Sequence, residues 1–225
     1  MTVVETPESV PMHLAPKPRL RGWSHAVAAI AAAALAPIVI VFSPGVRVAA
    51  AIYAVATIGL FGISALYHRF RWGPRMHTVL RRLDHSMIFV AIAATYTPIA
   101  IAALPSGPGR LILTIAWVGA AIGVGTQLLW PGAPRALTVG LYITVGWAAI
   151  LVIDDIWRAI GLAGFVLLVV GGLLHTVGAV VYATQRPNPW PRWFGFHEIF
   201  HLFVVAAIAT HYVLVATIAL PMGNA

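Results

Sequence analysis

Apolar residues fall along the chain in seven long runs, at about 23–42, 47–67, 83–104, 110–130, 136–153, 160–183 and 196–220. Each is close to the ~20 residues a helix needs to cross the hydrocarbon of a bilayer. Runs this apolar satisfy their backbone in lipid only as helices. The breaks between them carry turn chemistry, as in Ser43-Pro44-Gly45, Leu104-Pro105-Ser106-Gly107 and Trp130-Pro131-Gly132-Ala133-Pro134. The pattern predicts an all-α membrane protein, one bundle of seven transmembrane helices over 23–220. A disordered basic arm (1–22) precedes it and a short tail (221–225) follows. The first run could be read as a signal peptide, since Ala34-Leu35-Ala36 resembles a cleavage site. However, that run is long enough to span, and Pro37 would follow the cut, so a retained helix is predicted.

Composition agrees. Of 225 residues 60% are hydrophobic and 9% charged, where a soluble domain carries about 25% charged residues. The net charge of +8 need not imply nucleic acid, because Lys and Arg collect in the cytoplasmic loops of membrane proteins. Assigning loops alternately to the two sides places Lys17, Arg19, Arg21, Arg69, Arg71, Arg75, Arg81, Arg82, Arg135, Arg186 and Arg192 with the N-terminus. Arg47, Arg110 and Arg158 fall opposite. This bias predicts a cytoplasmic N-terminus, an external C-terminus and multi-pass residence in the plasma (inner) membrane. The chain has no cysteine, so any metal must use His, Asp, Glu or water.

Candidate chemistry lies where the runs begin and end. His197 and His201 in Phe196-His197-Glu198-Ile199-Phe200-His201 are four apart, on one face of a helix. Such a pair is half of a zinc site. The stretch also matches His-Glu-x-x-His of zinc proteases, with Glu198 as base; interfacial histidines bonded to water and backbone are the plainer alternative. Ser64 and His68 repeat the four-residue spacing at the end of the second run, and Asp84 is the first acidic group of the third. The alternating topology brings His68, Asp84, His197 and His201 to one depth, in the cytoplasmic leaflet. Three histidines with a water and a nearby carboxylate are the parts of a catalytic zinc site.

Ser64-Ala65-Leu66-Tyr67-His68, Leu83-Asp84-His85-Ser86-Met87-Ile88-Phe89 with Thr95-Tyr96-Thr97-Pro98, and Gly195-Phe196-His197-Glu198-Ile199-Phe200-His201 occur in this order. Together they resemble the haemolysin III branch of the progestin and adiponectin receptor family, over about 23–220. The resemblance implies a seven-helix bundle with an intramembrane zinc held by His68, His197 and His201, with Asp84 and Ser64 beside the metal or its water. It also implies chemistry akin to ceramide hydrolysis. Ala94 stands where the family pattern has Gly, and His175 where Tyr is commoner.

Several other residues have plainer readings. Ser64 has the option of bonding a carbonyl one turn back, and Asp84 of pairing with Arg81 or Arg82. His25, His77 and His85 are expected to be structural, with His77 in a basic loop. His211 lies about 15 Å along its helix from His201, too far to share an ion. The leading functional reading is a zinc-dependent hydrolase of ceramide-like amide lipids, with membrane lipids as substrate or ligand and no nucleic-acid partner. A receptor-like or membrane-homeostasis protein with structural zinc, a pore-forming cytolysin and an intramembrane protease remain open.

Overall fold

The computed structural model describes residues 17–130 and 132–224, and its elements are helical. They are α1 (Trp23–Val41), α2 (Arg47–Arg69), α3 (Pro74–Pro98), α4 (Ser106–Leu129), α5 (Arg135–Gly146), α6 (Ile153–Thr184), α7 (Phe196–Leu214) and the short α8 (Leu220–Met222). Ile99–Ala103 and Val215–Ala219 are π-helical turns continuing α3 and α7, and Ala148–Val152 is a 3-10 turn between α5 and α6. Proline has no amide hydrogen to donate, so Pro98 leaves the α-helical ladder of α3 short by one bond where the π turn begins.

The core lies between α3, α4, the α5–α6 segment and α7, around Phe89, Ile99, Ile112, Ile156 and Leu214, with alanines such as Ala93 and Ala116 letting the backbones close. The outer surface is as apolar as the core. Ile30, Val48, Val55 and Leu129 are 73%, 74%, 66% and 86% exposed, a continuous apolar covering that suits lipid rather than water.

Among the described residues six stretches are long and apolar enough to cross a membrane, one fewer than the runs predicted. The runs expected at 136–153 and 160–183 fall in a single stretch, Arg135–Thr184. That stretch is not straight. Trp147 Nε1 donates to Thr176 Oγ1 at 2.9 Å, whereas a continuous helix would hold these residues roughly 43 Å apart. The Arg135 guanidinium likewise sits 5.2 Å from the Tyr182 ring centre. The reversal comes at Gly161, whose φ of 63° and ψ of −174° lie in a region essentially reserved for glycine.

A second correction concerns α3. Residues 74–82, expected as a basic loop, form its first turns. Pro74 supplies the fixed φ favoured at a first helical position. His77 and Leu80, three apart, are buried on one face, His77 against Tyr67. The arginines around them conceal this face from a hydropathy reading.

Part of the basic arm is also placed. Arg19 and Leu20 donate their backbone N–H groups to the carbonyls of Arg192 and Trp193, each at 3.1 Å. Lys17 Nζ donates to the Tyr67 and Phe70 carbonyls at the end of α2 (3.2 and 3.1 Å), a favourable position for a cation. Partial burial, with the nearby charges of Arg21 and Arg71, holds the Lys17 ammonium below its usual pKa. The arm's first 16 residues lie outside the described residues. The chain therefore enters at one end of the bundle, whereas Asn224 lies at the other, donating from Nδ2 to the Phe42 carbonyl at 2.8 Å.

Candidate metal centre

At the end where residue 17 lies, α2 ends, α3 begins and α7 begins. His68 lies in the last turn of α2, and His197 and His201 occupy the first two turns of α7. One ligand atom from each of the three histidines lies within 4.8 Å of the others. His68 and His201 are buried and His197 is partly so.

The spacing tests whether a metal fits. Two nitrogens about 2.05 Å from a tetrahedral centre stand about 3.3 Å apart, and His68 Nε2 is 3.2 Å from His197 Nε2. His201 adds a buried Nδ1 with no hydrogen-bond partner among the described residues. A buried polar nitrogen left so costs about 1–3 kcal/mol. The donor set therefore suits a metal ion that accepts imidazole nitrogen.

Asp84 and Ser64 join this group. Asp84 Oδ2 is 3.5 Å from His68 Nε2, close enough to hold a water shared with the cluster. Ser64 lies one turn before His68 on α2 and is 2% exposed.

Glu198 has a different role. Its Oε2 accepts the Gly195 N–H at 2.7 Å, capping the helix it belongs to, and its Oε1 pairs with Arg21 Nε. Both carboxylate oxygens are engaged away from the histidines.

His25, expected to be structural, touches the centre. Its ring lies flat on that of His201, centroids 3.9 Å apart and planes 8° from parallel. The depth argument that gathered the other groups applied equally to residue 25, at the start of α1, but no four-residue partner marked it. Tyr182 was not singled out either, yet its hydroxyl is 3.2 Å from His85 Nε2 and its ring packs near His197.

From this centre an apolar cavity runs between α3, α5, α6 and α7, with about 1370 Å³ of empty space, part of it open to the outside. Asp84 and His197 line one end, and Ile92, Phe165 and Ile208 line its length. His175 and His211 both face this cavity, so the spare imidazole of α6 shares it with the centre. His211 is about 21 Å along α7 from His197 and places Nε2 3.3 Å from the Leu168 carbonyl. Gly171 admits the His211 ring, which a Cβ at that position would strike.

Comparison with known proteins places the chain in a family. The family described as Haemolysin-III related matches residues 14–212. Hemolysin-3 of Bacillus cereus is 30% identical over 177 residues, covering 79% of this chain and 78% of that protein. The Hemolysin-3 homolog of Bacillus subtilis is 30% identical over 158 residues, 70% and 71% of the two chains. Heptahelical transmembrane protein ADIPOR2 of Oryza sativa subsp. japonica is 31% identical over 181 residues, 73% and 79%.

Proposed function

The chain belongs to the haemolysin III-related branch of the progestin and adiponectin receptor family of integral membrane proteins, and from that premise we propose that it is a zinc-dependent hydrolase of acyl-amide lipids, resembling a ceramidase. The observation that carries this reading is the 3.2 Å approach of His68 and His197 beside Asp84, at the mouth of an apolar cavity. His68, His197 and His201 would hold the metal, and a zinc ion bound there would supply Lewis-acid polarisation of the scissile carbonyl and a lowered pKa of water. Asp84 takes the proton of the attacking water and returns it to the departing amine. Ser64 holds the carboxylate in place, and the cavity accommodates the acyl chain.

We further propose seven crossings, with a cytoplasmic N-terminus. Residues 17 and 224 lie at opposite ends of the bundle, which favours an odd number of crossings. The reversal at Gly161 turns the fifth of six stretches into two arms, 135–160 and 162–184. Each arm is roughly 35–39 Å long by helical rise, enough for a bilayer. The Oryza sativa relative is named a heptahelical transmembrane protein, and the eleven basic residues assigned to the N-terminal side favour that side being cytoplasmic.

The test is metal content followed by turnover. Purified protein should carry one zinc per chain, lost in His68→Ala, His197→Ala and His201→Ala. Reconstituted wild type should release amine from a short-chain ceramide, whereas Asp84→Asn keeps zinc without cleaving. A zinc-loaded protein that cleaves no acyl-amide lipid would leave the structural-zinc reading, in which Asp84 itself closes the coordination shell.

A further inference from the structure

Beside the histidine cluster, a second pocket is formed by the start of α3, the end of α4, the start of α5 and the end of α6. Arg81, Arg82 and Arg135 line it, together with the neutral hydrogen-bonding side chains of Gln127 and Thr138. No acidic residue is among its described lining residues, and Arg82 of α3 and Arg135 of α5 both bring positive charge to it, the Arg135 guanidinium resting over the Tyr182 ring and within reach of the Gln185 amide oxygen. A topology signal alone needs only Lys and Arg somewhere in these loops; it does not require arginines from two separate helices to face each other across a pocket lined by amide and hydroxyl groups. Arg82 keeps its Nε buried without a hydrogen-bond partner among the described residues. Arginine's planar fork matches phosphate oxygens in pairs, and such charge-assisted bonds are about twice as strong as neutral ones.

The wall between this pocket and the apolar cavity is thin. His85 and Tyr182 line both. His85 donates from Nδ1 to the Arg81 carbonyl (2.7 Å), which leaves Nε2 to accept the Tyr182 hydroxyl (3.2 Å). Asp84 stands on the far side of His85, 3.9 Å from Nδ1, and lines the apolar cavity rather than the arginine pocket. An anion-binding pocket that adjoins a long apolar cavity has the two halves of an amphiphile's shape. We propose that the arginine pocket binds the phosphate of a phosphate-bearing lipid whose chain enters the adjoining cavity. This goes beyond the hydrolase reading and does not depend on the metal.

The experiment uses full-length protein in phosphatidylcholine nanodiscs, titrated with phosphatidic acid and read by native mass spectrometry of retained lipid, with inorganic phosphate and glycerol phosphate as soluble competitors. Wild type should retain one phosphatidic acid per chain. Arg82→Gln/Arg135→Gln should weaken retention by about tenfold or more. Arg71→Gln/Arg75→Gln, which removes the same charge from exposed positions of the same face, should leave it unchanged. Zinc content and melting temperature report folding. If the Gln pair unfolds, the single variants Arg82→Gln and Arg135→Gln decide: weakened retention in either supports the pocket, and wild-type retention in both overturns it. Equal losses in the pocket and control pairs would mean general surface attraction and overturn the proposal. So would inorganic phosphate displacing the lipid as readily as unlabelled phosphatidic acid does, since the pocket would then serve a soluble anion. A wild type that retains phosphatidic acid but no zinc would refute the hydrolase and leave this proposal standing.

Discussion

Replacing His25 separates a packing role from a chemical one. Its ring is 3% exposed and sandwiched between the parallel face of His201 at 3.9 Å and the edge of Phe61 at 5.1 Å. Neither ring nitrogen has a hydrogen-bond partner among the described residues, so each costs roughly 1–3 kcal/mol. His25→Phe removes both costs and keeps the stacked ring, while the larger ring adds overpacking of about 1–3 kcal/mol. The two removed costs, together about 2–6 kcal/mol, match or exceed the overpacking, so stability should be held or raised rather than lost, and metal affinity should be nearly unchanged. His25→Ala instead opens a cavity costing on the order of 2–5 kcal/mol, partly offset by the lost nitrogens. It also frees the His201 ring to rotate, and loss of such orienting support typically weakens metal binding about 10–100-fold. The assay is zinc affinity by chelator competition, with melting temperature in detergent alongside. If His25→Phe strips zinc as completely as His201→Ala does, His25 acts through its nitrogens and the packing argument fails.

Other perturbations test separate parts of the structure. Gly171→Ala should destabilise by about 1–3 kcal/mol, seen as a lower melting temperature, because the new Cβ strikes the His211 ring; an unchanged melt would show that α6 and α7 do not pack this closely. Arg21→Gln leaves the Glu198 carboxylate buried without its partner and should cost about 3–5 kcal/mol. Glu198→Gln keeps the shape and removes the charge, so it should lower stability without abolishing zinc binding or hydrolysis; loss of turnover in a zinc-loaded Glu198→Gln protein would restore the protease-like reading. Stripping zinc should lower the stability of wild type by about 2.7 kcal/mol relative to zinc at a hundredfold excess over its dissociation constant. The same treatment should leave the melt of His197→Ala unmoved.

Much of this protein was legible in its sequence. Lipid imposes one local solution, the apolar helix of about 20 residues, so run length alone marked nearly every element. The spacings of Ser64 with His68 and of His197 with His201 fix a shared helical face before any packing is known. Alternation of loops then gave these groups and Asp84 a common depth, and the structure brings His68, His197, His201 and Asp84 together. Local rules stop where neighbours decide. Residues 74–82 read as a loop because three arginines outweigh His77 and Leu80, yet burial of those two, His77 against Tyr67 of α2, extends the helix. Glu198 carries the same motif whether it serves as a base or a cap; only the docking of Arg21 and the approach of Gly195 engage both its oxygens. His25 has no periodic partner, and its place against His201 exists only because α1 packs on α2 and α7. The meeting of Arg82 with Arg135 depends on the packing of α3 against α5, and Tyr182 joins them only through the reversal at Gly161. Contacts within a helix follow from spacing in the chain, whereas contacts between helices follow from which faces the whole bundle can bury.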